Sequence, residues 1–169
     1  MPAEATAADI IKDLADECLA ARNKIATIDA EIAEVLKRHP DAALIATLPG
    51  MGATLTAELL AVAGGLDRFT SGDHLAAAAG LAPALVQSGK VRYLQRPLTG
   101  HRALKRVFYQ SAFCALPHDP ACRAFYDRKR AEGKRHHQAL IALSRRRINV
   151  LYAILRDRQP YQARPPKAA

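Results

Sequence analysis

Apolar residues recur at Ile11, Leu14, Cys18, Ala21, Ile25, Ile28, Ile32 and Val35, in alternating steps of three and four. A strand has a side-chain period of two and cannot present such a series on one face. A helix can, and nearly four heptads of it predict one long coiled-coil helix over residues 1–43. Thr6 followed by Asp9 reads as its N-terminal cap, and Pro40 after His39 as its stop. The acidic residues Asp9, Asp13, Asp16 and Glu17 read as a solvated first stretch favoured by the helix dipole. An apolar seam needs cover, from the helix's own domain or, as the heptad period favours, from another protomer, giving a homo-oligomer, or from another domain.

The remainder also reads as helical. Ala and Leu dominate, tryptophan is absent and aromatic residues make up 5% of the chain, which favours an all-α fold over a sandwich or barrel. Leu48-Pro49-Gly50-Met51-Gly52 precedes the helical run Ala53–Ala63, a helix-hairpin-helix-like pattern. Gly50 and Gly52 permit positive φ and close backbone approach, and the free N–H groups of the second helix suit a phosphate. A tight interhelical turn needs the same two glycines. Gly64-Gly65 closes that helix, Thr70 or Ser71 opens a short alanine-rich one, and Gly80 and Pro83 end it. Leu85-Val86 and Val91–Leu94 flank Gln87-Ser88-Gly89-Lys90, which predicts a minor β-hairpin or an extended loop. Helices follow over roughly 100–115, capped by Thr99, then 121–132, then 136–158. Residues 162–169 are expected to be a disordered tail.

Charge is unevenly shared. Lys and Arg against Asp and Glu number 5 and 10 in residues 1–66, a balance of −5, and 20 and 6 in residues 67–169, a balance of +14. A basic excess confined to one part is the footprint of a polyanion, with DNA as the expected partner, and binding should weaken steeply with salt. No segment approaches the length of a membrane span, and no secretory signal is evident at the N-terminus. Cys18, Cys114 and Cys122 are not spaced as metal ligands and read as reduced thiols, so a cytoplasmic protein with no metal site in this chain is expected.

Ser88 is the nucleophile candidate, set beside a glycine among Lys90, Arg92, Arg96, Arg102, Lys105 and Arg106. Cations stabilise a bound phosphodiester and the charge that develops during attack on it. Lys90, Arg92 and Arg96 are the candidates for the scissile phosphate and its flanks. Arg102, Lys105 and Arg106 share one face of a helix that could track the backbone. Arg145-Arg146-Arg147 cannot all share a face. His136-His137 diverge by about 100° and do not make a shared metal site. Tyr109 and Tyr126 read as packing residues.

From Leu48 onward an ordered series resembles the C-terminal domain of the insertion-sequence 110/116/902 family of transposases. It runs through Leu48-Pro49-Gly50-Met51-Gly52, Thr56-Ala57, Leu66-Asp67-Arg68-Phe69, Gly80-Leu81-Ala82-Pro83, Gln87-Ser88-Gly89-Lys90, Leu104-Lys105-Arg106 and Leu151–Arg156 ahead of Pro160-Tyr161. The resemblance covers about residues 44–161, and the heptad helix resembles the connector these enzymes place between two domains. It implies DNA cleavage and joining through a phosphoserine, with Ser88 matching the nucleophile. It also implies an N-terminal RuvC-like domain that binds divalent metal such as Mg, in cis or in trans, and in some members a structured guide RNA. These 169 residues hold no counterpart of the RuvC-like half, so the chain alone is expected to bind DNA and to be catalytically inactive. A non-catalytic nucleic-acid-binding module and a coiled-coil interaction protein are the alternatives.

Overall fold

The computed structural model describes residues 2–95 and 99–163. It is all-α apart from one antiparallel β-hairpin. The helices are α1 (Pro2–Lys37), α2 (Ala42–Ala46), α3 (Ala53–Ala63), α4 (Gly72–Ala78), α5 (Arg102–Ala115), α6 (Pro120–Ala131) and α7 (His136–Asp157). A 3-10 turn spans Leu66–Arg68, and strands β1 (Ala84–Ser88) and β2 (Val91–Gln95) form the hairpin.

The heptad segment is a single 36-residue helix, about 54 Å long at 1.5 Å per residue. It is already helical at Thr6, so Thr6 is not its cap, and it stops at Lys37, a turn short of Pro40. Each of residues 6–31 is exposed. Only the last turns, around Ile32, Ala33 and Leu36, lean on α3, where Leu36, Ala57 and Leu60 help to line a shallow apolar groove.

Helices α2–α5 and α7 enclose the main core around Ile45, Leu59, Leu75, Phe108, Ile148 and Leu151. A second cluster of Ala112, Ala115, Cys122, Leu140 and Leu143 joins α5, α6 and α7. Chain signals account for most boundaries. Gly64, at φ 63°, ends α3 in the left-handed region, and the Ser71 hydroxyl accepts the His74 N–H to open α4. Asp119 accepts the Ala121 N–H at 2.9 Å, with Pro120 in the first helical position of α6.

One boundary differs from the sequence expectation. Thr99 does not cap α5, which begins at Arg102 with His101 as its N-cap. Gly100 is instead the place where two backbones meet. A Cβ there would fall 2.5 Å from the N and Cα of Gly80, and the His101 N–H donates to the Ala78 carbonyl at 2.7 Å. Of the expected tail, residues 164–169 lie outside the described residues.

Candidate nucleic-acid interface

The hairpin is built on a two-residue turn, Gly89-Lys90, with Gly89 at φ 56°. Glycine at the first central position matches the turn twist that antiparallel strands accept. The register pairs Ser88 with Val91, Gln87 with Arg92 and Val86 with Tyr93. Successive residues of a strand alternate between faces, so Ser88 shares a face with Val91 and Tyr93. Arg92 lies with Gln87 on the opposite face. The structure therefore brings Ser88 and Lys90 together at the tip and separates Arg92 from Ser88 across the ribbon. Lys90, Val91, Arg92 and Tyr93 are all exposed, Tyr93 by 51%. Arg96 lies outside the described residues.

The Gly80–Gly100 contact brackets this arm, so α5 starts at its base. Arg102, Lys105 and Arg106 sit on the outer side of α5, opposite the core row Leu104, Val107, Phe108 and Ser111. Arg106 is engaged by Glu58 of α3 in an ion pair and is the least available of the three. Among the described residues, Lys90, Arg92, Arg102 and Lys105 make no ion pair with a carboxylate.

The two glycines of the interhelical turn have different reasons to be glycine. Gly50 has φ 78°, and a Cβ would meet the Ser111 carbonyl at 2.5 Å and the Ala115 amide nitrogen at 2.8 Å. It is needed where the turn presses on α5, so packing accounts for it. Gly52, the N-cap of α3, is exposed with open space around it, and Ala53 and Thr54 after it are exposed too.

Sequence reasoning missed the role of Arg147, which is 2% exposed. Its guanidinium donates to the Pro49 carbonyl and to Ser111 Oγ at 2.7 and 3.2 Å, and to Cys122 Sγ at 3.4 Å. Cys122 Sγ in turn donates to Asp119 Oδ2 at 3.1 Å, which also accepts from the Tyr161 hydroxyl at 2.7 Å. Burial opposes ionisation of Asp119. Hydrogen bonds from Cys122, Tyr161 and the Ala121 and Cys122 amides outweigh it and hold the carboxyl below its usual range. Burial and the bond to Asp119 push the Cys122 thiol up to about 11 and the Tyr161 phenol to about 12. A thiol kept protonated is a packing group and not a nucleophile. A cleft of about 570 Å³ opens beside this network, and no hairpin residue lines it.

The other two arginines of the run also differ in role. Arg145 pairs with Asp73, and Arg146 lies over the Phe125 ring, 5.0 Å from its centroid. His136 Nδ1 shares a hydrogen bond with Tyr126 at 2.7 Å. Among the described residues no three His, Cys, Asp or Glu side chains gather as metal ligands, and no helix is long and apolar enough to cross a membrane.

Comparison with known proteins matches residues 42–127 to the model of the transposase IS116/IS110/IS902 family. The chain is 45% identical to the "Insertion element IS900 uncharacterized 42 kDa protein" of Mycobacterium paratuberculosis, over 100% of this chain and 43% of that one. It is 39% identical to the "Insertion element IS110 uncharacterized 43.6 kDa protein" of Streptomyces coelicolor, over 98% of this chain and 41% of the relative. A pilin gene-inverting protein of Moraxella lacunata is 32% identical over 84% of this chain and 46% of its own length. The chain thus spans less than half the length of each of these relatives.

Proposed function

Since the chain belongs to the IS116/IS110/IS902 family of transposases, we propose that it is the DNA-binding part of a recombinase in which Ser88 becomes joined to a DNA phosphate. In that step a bond forms between Ser88 Oγ and phosphorus, one bridging P–O bond breaks, and the freed DNA hydroxyl takes up the proton. The observation that carries the reading is the register that ends β1 at Ser88, next to the Gly89-Lys90 turn of a hairpin whose Lys90, Arg92 and Tyr93 are exposed. Lys90 serves the phosphate at Ser88. Arg92 on the other face and Arg102 and Lys105 on α5 hold flanking phosphates, the guanidinium groups gripping two oxygens each where lysine acts as a point charge. The exposed amides at the start of α3, behind Gly52, add a backbone phosphate contact that Gly50 positions from behind.

A serine hydroxyl needs a group to take its proton. Among the described residues the carboxylates assemble no metal site, and we assign that role to a RuvC-like domain with divalent metal, in cis or in trans, guided by a structured RNA where one is used. Helix α1 pairs with a second copy of the chain.

The deciding experiment supplies element-end DNA, divalent metal and the RuvC-like portion of a relative, and seeks a DNA adduct on Ser88 by mass spectrometry. An adduct lost in Ser88→Ala is expected; none with the wild type, or an equal one with Ser88→Ala, overturns the proposal. The separation of Arg92 from Ser88 favours one second reading, a module that binds nucleic acid without chemistry. On that reading salt-sensitive affinity persists in Ser88→Ala and no adduct forms under any condition.

A further inference from the structure

Most of α1 has no contact that could keep it folded in a lone chain. Every residue from 6 to 27 is exposed, Ile11 by 67%, Leu14 by 56% and Ile25 by 59%, and only from Ile28 onward does the seam share a groove with α3. Helical stability in water comes mainly from covering an amphipathic face, so this seam calls for a partner along its length. Resting on the reading that α1 pairs with a second copy, we propose that the two helices run parallel and in register, Glu17 facing the partner's Arg22 and Lys24 facing the partner's Asp29.

The assignment follows from the residues beside the seam. With Ile11, Cys18, Ile25 and Ile32 at the first heptad position (a) and Leu14, Ala21, Ile28 and Val35 at the fourth (d), Glu17 and Lys24 occupy g while Arg22 and Asp29 occupy e. In a parallel pair each g residue meets the e residue five positions further along the other helix. Both fully charged pairs are then opposite in sign, and Ile10 against Ala15 extends the apolar strip. An antiparallel pair overlapping along the whole of α1 sets Glu17 against Lys24 but leaves Arg22 and Asp29 facing Ala15 and Ala8. A staggered antiparallel pair that engages Arg22 with Asp29 leaves Ile11 and Leu14 uncovered. Only the parallel, in-register arrangement uses all four charges together with the exposed seam from Ile11 to Ile25.

Cys18 provides a probe, because it is exposed at an a position and equal a positions face each other only in this arrangement. The full chain should have the mass of a dimer by size-exclusion light scattering, and Ile25→Asp with Ile28→Asp should make it monomeric. Copper–phenanthroline oxidation should give a covalent dimer that Cys18→Ala abolishes. Glu17→Lys should weaken dimerisation about tenfold by setting lysine against Arg22 twice, and Arg22→Glu added to the same chain should restore it. A monomeric wild type overturns the pairing of α1 and the register with it. A dimer whose cross-link survives Cys18→Ala or never forms, or whose Glu17→Lys defect Arg22→Glu does not repair, overturns the orientation alone. Neither result bears on Ser88.

Discussion

Gly80 and Gly100 touch backbone to backbone. Each lies at positive φ, 63° and 136°, and a methyl group on Gly100 would fall 2.5 Å from the N and Cα of Gly80. The backbone before the hairpin and the backbone that leads into α5 therefore meet at this one point.

Gly100→Ala forces backbone apart where no side chain can yield. We expect a loss of roughly 1–3 kcal/mol, read as a lower denaturation midpoint. Gly89→Ala in the turn meets open space and should lose only about 1 kcal/mol, from its positive φ alone. Equal effects of the two substitutions would remove the backbone contact as an explanation.

Arg147→Met removes the donor that ties α7 to Ser111 and to the Pro49 carbonyl. The expected penalty is roughly 2–5 kcal/mol, with earlier protease cleavage near residues 47–52. Arg146→Met, at an exposed site over Phe125, should change stability by about 1 kcal/mol or less. Urea denaturation of both variants tests the contrast.

Thr56 Oγ1 is buried without a hydrogen-bond partner among the described residues. Thr56→Val keeps the shape and removes the unsatisfied hydroxyl, so stability should hold or rise by about 1 kcal/mol. A drop in melting temperature would mean that the hydroxyl has a partner in solution.

The network at Asp119 predicts losses at both ends of the pH scale. Asp119 has a folded pKa below its ordinary value, so its contribution is present above the unfolded pKa and lost as pH falls through the folded one. Cys122 is raised from 9.0 to about 11, so its contribution is complete below 9 and lost as pH rises through 11. Melting temperature against pH should fall in both ranges, and Cys122→Ala should flatten the alkaline limb between 9 and 11. An unchanged limb would exclude the thiol as its source.

DNA affinity should separate engaged cations from available ones. Arg92→Ala, Arg102→Ala and Lys105→Ala should each lower the slope of log affinity against log salt by about 1. Arg106→Ala should change it less, because Glu58 already neutralises that charge. Fluorescence anisotropy across a salt series reads the slopes, and equal slopes for all four variants would count against this division.

Elements ruled by neighbours along the chain were legible in the residues. The period of Ile11–Val35, the start at Ser71 and a hairpin around Gln87–Lys90 each follow from contacts within a few positions, which residue order specifies directly. Sequence could name Ser88, Lys90 and Arg92 as a group because they are close in number. It did not assign them to faces, since that depends on where the turn starts, and a shift of one residue exchanges the faces.

Contacts between distant positions were decided by tertiary structure alone. The sequence shows that Arg145, Arg146 and Arg147 cannot share a face but not which of them turns inward; it is Arg147 that meets Ser111, 36 residues away, and Pro49, 98 away. Gly50 matches a phosphate-binding pattern, yet α5 accounts for its lack of a side chain. Local order sets which helices form and which faces are apolar. Which cation is buried, paired or left to solvent depends on the helix brought against it, because desolvation and hydrogen bonding act through space.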